Sequence, residues 1–345
     1  MQEIAPEKTG TPMGKWIGAL MIMQLCTAGT QAQQGLRGCT DPAALNFDTS
    51  ARVNDGTCRY AVERKDPRSF FRMPEGLQEQ SGMVWWHGRL WIHNDGGAPP
   101  VIMALDSTGT MVLSSVTLRG ATNIDWEDMA QDDQYFYIAD AGNNANGARN
   151  NLCVYRVSKQ HLLALDSNLS VQAERIDFQF EDQAQPPVAV APNTTNFDTE
   201  AIICRDGHIF LFTKQWTGRQ TALYKFLAVP GKQIAKRMGT MDAGGLITGA
   251  AISPDGKTVV LTGYSPLLSR FVWLLYGFNG DAFFEGHRRV IRLTGPGQTE
   301  SACFLDNDRL LLGSERFRML PERMEILWLG DLLAPYRRRL EALVR

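Results

Sequence analysis

The chain has no excess of charge of either sign: 35 Lys and Arg against 37 Asp and Glu leave a formal net charge of −2. So weak a field draws in no nucleic acid, and the one basic cluster, Arg337-Arg338-Arg339, reads as the solvated part of a helical tail over 334–345. Zinc-type spacing is missing as well. The six cysteines include no Cys-x-x-Cys pair, and no His-rich run accompanies them. Long apolar runs are also lacking: the stretch from Trp16 to Leu25 falls short of the roughly 20 residues that a membrane-spanning helix needs. Beyond residue 66 the apolar runs do not follow a 3.6-residue period, which excludes a helical solenoid.

What is present is a repeated strand. Ser81-Gly-Met-Val-Trp, Glu127-Asp-Met-Ala-Gln, Glu200-Ala-Ile-Ile-Cys, Gly249-Ala-Ala-Ile-Ser and Glu300-Ser-Ala-Cys-Phe are each followed by a turn and a more apolar strand. Their first residues are spaced by 46, 73, 49 and 51, close to the roughly 40–50 residues of a four-stranded propeller blade. The fold expected over 66–333 is therefore an all-β propeller of five four-stranded blades, with six left open because the 73-residue interval has room for another. The fifth unit has only three candidate strands, at 300–304, 309–313 and 324–329. The stretch Ser69-Phe-Phe-Arg-Met73 is expected to supply the fourth and close the ring, which removes unpaired edges.

The start of the chain reads as an export signal. Lys15, the apolar run and the small-residue exit Thr30-Gln31-Ala32 have the order of a signal peptide over 1–32, cleaved after Ala32. Lipid attachment at Cys26 fits less well, because Leu25 stands where a small residue is wanted. Export puts the remaining cysteines in an oxidising setting. Cys39 and Cys58 bracket a polar segment within 33–62 and are expected to pair, whereas Cys153, Cys204 and Cys303 lie in apolar strands as buried thiols. That small segment has little to bury and needs a crosslink, an ion or both. Its Gly38-Cys-Thr-Asp-Pro start and Asn54-Asp-Gly-Thr-Cys58 end resemble repeats of secreted proteins from Bacteroidota-type bacteria. The resemblance implies an extracellular location and a second calcium ion on Asp41, Asn46, Asp48, Asn54 and Asp55. A metal-free spacer closed by the disulfide is the other reading.

In a propeller the first strand of each blade lines the central channel, so recurring polar residues there converge. Ser81, Glu127, Glu200 and Glu300 occupy four aligned positions, and Thr248 stands beside Gly249 in the fourth copy. Three carboxylates on one axis repel unless a cation or protons intervene. Calcium, a hard ion taking six to eight oxygens, suits such a set; the alternative is that these side chains bond neighbouring backbone and a column of water. The order Ser, Glu, Glu, variable, Glu is similar to the inner strands of the calcium-activated apyrases, five-bladed propellers that hydrolyse nucleoside di- and triphosphates. Gly249 departs from that family's serine. More closely, Gly120-Ala-Thr-Asn-Ile-Asp-Trp-Glu-Asp with Tyr137-Ile-Ala-Asp-Ala-Gly-Asn-Asn144 resembles a broad group of secreted bacterial propellers.

First strands begin, and second strands end, on one face of the ring. That places Asp125, Asp198 and Thr248 beside His93, Asn94, Asp95, Asp140, Asn143, Lys214, Tyr264, Glu315 and Arg316, at the loop-rich mouth where sites usually form. Two functions follow. One is a secreted, calcium-stabilised platform, expected to be monomeric, for an extracellular glycan, peptide or phosphorylated small molecule. The other is a calcium-dependent phosphohydrolase, with Lys214 and Arg316 holding phosphate and Asp125 or Asp198 orienting water.

Overall fold

Short strands joined by tight turns build the whole of the body. In the computed structural model the described residues are 35–71, 73–77, 79–163 and 169–344; the expected signal peptide lies outside them. Four short strands come first: β1 (Arg37–Gly38), β2 (Val53–Asn54), β3 (Glu63–Lys65) and β4 (Arg68–Phe71). An antiparallel meander follows, β5 (Gln80–Trp86), β6 (Arg89–Asn94), β7 (Val101–Leu105) and β8 (Val112–Arg119). The next is β9 (Trp126–Gln131), β10 (Tyr135–Asp140), β11 (Cys153–Ser158) and β13 (Glu174–Phe180), interrupted by helix α1 (Lys159–Leu163) and strand β12 (Ser170–Gln172). Then come β14 (Thr199–Arg205), β15 (His208–Thr213), β16 (Gln220–Leu227) and β17 (Gly231–Asp242), followed by β18 (Leu246–Ile252), β19 (Thr258–Tyr264), β20 (Ser269–Tyr276) and β21 (His287–Pro296). The last run, β22 (Thr299–Phe304), β23 (Arg309–Ser314) and β24 (Arg323–Trp328), precedes helix α2 (Gly330–Val344).

This is an all-β fold of propeller type. The innermost strands β5, β9, β14, β18 and β22 are neighbours in cyclic order, β22 lying again beside β5. Strand β4 pairs antiparallel with β24, Phe71 opposite Met324, and completes the last sheet from the other end of the chain. Hairpin chemistry sets the local registers: His87-Gly88 (φ 52° and 70°) and Asp206-Gly207 (φ 48° and 70°) have positive φ at both central positions, the geometry that matches strand twist in two-residue turns. Outer edges are also covered. β12 adds parallel to β8, β3 adds parallel to β21, and β13 pairs parallel with β17 to fuse two meanders into one eight-stranded sheet.

The core is a cycle of sheet-to-sheet interfaces. Phe136 and Ile138 pack on Val84 and Trp91, Tyr137 and Val154 on Ile202 and Leu211, Phe210 and Phe212 on Val259 and Phe271, Val260 and Leu274 on Leu310 and Leu312, and Leu311 with Met324 back on Met83 and Leu90. Each such side chain contributes about 1.5–3 kcal/mol on burial, so the stacked faces hold the ring. The three thiols Cys153, Cys204 and Cys303 are buried in these layers, as expected of free cysteines in apolar strands.

At the axis one carboxylate joins three inner strands. Asp128 on β9 accepts the backbone N–H of Ile202 (2.9 Å) and Ala250 (3.1 Å) on Oδ2 and that of Met129 (2.8 Å) on Oδ1. Burial pushes its pKa well up, against the pull of these donors. A second polar tie, Ser301 Oγ to Gln80 Oε1 at 2.8 Å, links the last inner strand to the first.

The disulfide Cys39–Cys58 is formed, and its segment is docked on the fourth sheet. Asp41 is fully buried and accepts the Tyr60 and Tyr276 hydroxyls, Thr40 meets His287 at 3.2 Å, and Arg339 of α2 donates to Ala51 O at 2.7 Å. The other oxygens expected to hold an ion there serve local turns: Asp48 takes Ser50 N and Oγ, Asp55 takes Thr57 N and Oγ, Asn46 takes Arg59 N, and Asn54 takes Gly56 N. Asp41, Asp48 and Asp55 do not converge on a common point among the described residues.

Replacing Asp128 with Ala orphans two buried amides on neighbouring sheets and is expected to cost about 3 kcal/mol, read as a lower urea midpoint. Asp128→Asn keeps an acceptor and loses less. An unchanged midpoint in Asp128→Ala would show that the axis is held without this carboxylate.

Candidate functional site: an acidic channel mouth

Every inner strand breaks register at the same level. Pairing slips between Thr199/Thr213 and Ala201/Phe212, between Ile247/Gly263 and Gly249/Thr262, and between Thr299/Ser314 and Ser301/Gly313. The extra residues are Glu200, Thr248 and Glu300. In the two earlier meanders the slip takes in Ser81-Gly82 and Glu127-Asp128. A bulge re-aims its side chain, and here it turns these positions away from the sheet faces. The structural counterpart of Glu200 and Glu300 in the fourth sheet is thus Thr248 and not Gly249. Gly249 allows a close approach instead, since a Cβ there would lie 2.9 Å from Glu300 O.

Around these bulges the mouth gathers carboxylates. Oxygens of Asp95, Asp125 and Glu127 lie within 4.8 Å of one another, as do those of Glu127, Asp198 and Glu200. Glu127 belongs to both groups, is buried, and receives no hydrogen bond among the described residues. Burial, then the negative charge of Glu200, Asp95, Asp125 and Asp198, pushes its pKa well above the usual carboxylate range. Burial with Asp95 and Asp198 raises Asp125 to about 6. Burial raises Glu300 to about 7 against the pull of Lys214, and burial with Glu300 and Asp95 raises Glu315 to about 8.

One cation is set among them. Lys214 Nζ bonds Glu200 Oε2 at 2.8 Å, both side chains being nearly fully enclosed (6% and 5% exposed). It lies over Trp216 and Tyr264, 4.7 Å and 5.9 Å from the ring centres. Burial alone would lower the ammonium; Glu200 and Glu300 hold it charged.

The remaining residues expected at the mouth divide by what they touch. Asp198 is a positioning group, its oxygens accepting Asn143 N (2.6 Å) and Trp216 Nε1 (2.8 Å). Asp140 pairs with Arg149 at 2.7 Å and accepts Asp125 N at 3.1 Å, while Asn143 accepts Arg149 N and donates to Phe197 O. Together they shape the loop over Asp125 and Glu127, where Gly142 leaves room: a Cβ there would fall 2.2 Å from Glu127 Oε1. His93 does not open on the mouth. It is buried edge-on against Trp126, with Gly82 beneath its ring, and burial lowers its pKa to about 4. Asn94 donates to Gly76 O, Tyr264 accepts Gln298 Nε2 at 2.8 Å, and Thr248 donates to Thr299 O. Ser81 is buried at the register slip of the first meander. Arg316 is at the rim, exposed and bound to Glu322 at 2.9 Å. Sequence reading missed Glu79, whose charge is felt by Asp95 and Glu315, and the organising roles of Arg149 and Trp216.

No family model matches this chain, and no curated protein matches it. Several solved structures resemble it. The PQQ-bound aldose sugar dehydrogenase of Streptomyces coelicolor is 11% identical over 78% of this chain and 99% of that one, at a TM-score of 0.43. The beta-propeller domain of Cps50 (Swd1) from Myceliophteria thermophila is 11% identical over 72% and 97%, at 0.36. Hydrazine synthase of Kuenenia stuttgartiensis is 13% identical over 75% of this chain, at 0.35, and this chain spans 65% of its length. These three TM-scores are all below 0.5, and the fold assignment rests on the strand pairing described above.

Lys214→Met leaves Glu200 buried without its partner. Under chelating conditions at pH 8 the variant is expected to lose about 3–5 kcal/mol in guanidinium unfolding. Because burial raises the Glu200 carboxyl in the folded state, that deficit shrinks as the pH is lowered from 8 to 5. A deficit independent of pH would contradict the pairing.

Proposed function

We propose that the protein is an exported five-bladed β-propeller, its last blade closed by β4, that holds a calcium ion in the acidic mouth and binds an extracellular ligand there. Export is supported by the signal-like order of Lys15 to Ala32 and by the Cys39–Cys58 disulfide. Among the described residues, no helix is long and apolar enough to cross a membrane.

The observation that carries the ion is Glu127, buried without a donor between two sets of carboxylate oxygens. Asp95, Asp125, Glu127, Asp198 and Glu200 are all hard oxygen donors, and half-buried Asp95 and Asp125 leave the outer side open. That suits an ion with irregular, oxygen-rich coordination. Calcium would supply the positive charge that Lys214, tied to Glu200, provides to one side only.

Binding is favoured over phosphoanhydride hydrolysis by the state of the cations. Lys214 is enclosed and paired, Arg316 is held by Glu322, and Asp198 has both oxygens engaged. Both cations that hydrolysis would need to grip phosphate, and one of the two carboxylates that could orient water, are thus committed elsewhere.

Asp125, Glu300 and Glu315 have folded pKa values of about 6, 7 and 8, above those of unfolded carboxylates. The native state therefore binds more protons across this range, and its stability falls as pH rises through these values. With chelator, the melting temperature is expected to be higher at pH 5.5 than at pH 8. Calcium should recover the loss at pH 8, and Glu127→Gln should abolish the recovery. No calcium-dependent shift at pH 8 would dismiss the ion. Phosphate release from ADP or ATP that disappears in Glu200→Gln would replace the binding reading with the hydrolytic one.

A further inference from the structure

The other end of the channel holds a second chamber. Past Asp128, the inner strands surround a cavity of about 540 Å3 walled by Met129, Ile202, Ala250, Ala302, Cys303 and Trp86. That volume is typical of small-molecule sites. It shares no residue with the acidic mouth.

Lys159, the first residue of α1, lines this chamber. It is 6% exposed, and its Nζ donates to Gln131 Oε1 at 2.8 Å and to Asp132 O at 2.5 Å, both neutral oxygens. The Trp86 and Phe136 rings lie 5.3 Å and 5.2 Å away. Among the described residues no carboxylate comes within the 4.0 Å of an ion pair. Asp132 and Asp133 act on the ammonium only from beyond that distance, and Asp132 itself accepts Gln134 N and Tyr135 N on Oδ1 and the Tyr137 hydroxyl on Oδ2. Asp133 stands at the rim, and Asp206 there is bound to Arg205 at 3.1 Å. A buried ammonium ordinarily has a counter-charge, because its desolvation is costly. Here two of its three N–H groups go to neutral acceptors, which leaves a third donor on a residue that lines the cavity.

We propose that this chamber binds an amphipathic organic anion whose single carboxylate pairs with Lys159 and whose apolar body lies against Trp86, Met129, Ile202 and Ala302. The aromatic rings hold the ammonium from one side, and the ligand supplies the directly paired carboxylate that Asp132 and Asp133 do not provide. Burial lowers the lysine to about 8, so the free protein carries the charge at pH 6.5 and loses it over the next units. A bound carboxylate raises that value, and affinity falls as pH passes above it.

The full-length protein is titrated calorimetrically with octanoate, and with octan-1-ol as the uncharged control, at pH 6.5 and pH 9. One octanoate is expected to bind per chain at pH 6.5, at least tenfold more tightly than the alcohol, with that advantage lost at pH 9. Lys159→Met should lose the tenfold preference, and Lys159→Arg should keep most of it. Should Lys159→Met fail to fold, lysine side-chain NMR of the wild type decides: octanoate moves the Lys159 titration upward. Equal affinity for acid and alcohol, no binding of either, or a Lys159 titration unmoved by octanoate overturns the proposal. None of these outcomes depends on the ion at the opposite mouth.

Discussion

A ring of sheets leaves its innermost edges unpaired toward the axis, and buried backbone amides must find acceptors. Asp128 answers that constraint for three strands at once, which is why a charged residue can stand fully buried in the middle of the molecule. The stacked aromatic and aliphatic faces hold neighbouring sheets together. The carboxylate fixes how closely their inner edges approach the axis. Everything on the mouth side depends on that spacing, because the five bulges occur at its level.

Those bulges turn sheet architecture into electrostatics. Glu127, Glu200 and Glu300 are far apart in sequence, yet Glu200 raises the pKa of Glu127 and Glu300 that of Glu200, and Lys214 is kept charged by Glu200 and Glu300. The outer loop is organised by Asp140, Asn143, Asp198 and Arg149, and of these Asp198 also belongs to the acidic set. This loop sets the position of Asp125 over Glu127.

Much of this was legible in the chain. The repeat of strand, turn and apolar strand gave the propeller, the three-stranded last unit pointed to help from residues 69–73, and β4 occupies Arg68–Phe71. The Cys39–Cys58 bridge followed from composition and spacing. Bulges were not readable, because alternation of polar and apolar residues assumes one partner per residue; the fourth copy was therefore aligned on Gly249 in place of Thr248. Lys214 followed a strand and read as a loop cation, but Trp216 and Tyr264 turn it inward. His93 read as a rim residue, and the space above Gly82 draws it into the core. Glu79 stands two residues before Ser81, as Asp125 and Asp198 stand before Glu127 and Glu200, so the repeat register held its signal; Lys159 lies in a stretch without a counterpart in the other repeats, so no register pointed to it.

The pairing of Phe71 with Met324 sets the order in which the molecule can be completed. Four of the meanders close with strands contiguous in the chain, and each can form once its own residues are available. The last sheet must wait until the final repeat has emerged, with an early strand held in reserve across nearly the whole polypeptide. So high a contact order slows folding and leaves the edge of β24 exposed in the meantime. A nascent chain stalled before residue 323 would be an open arc, competent in its separate interfaces but without the axis on which both chambers rely.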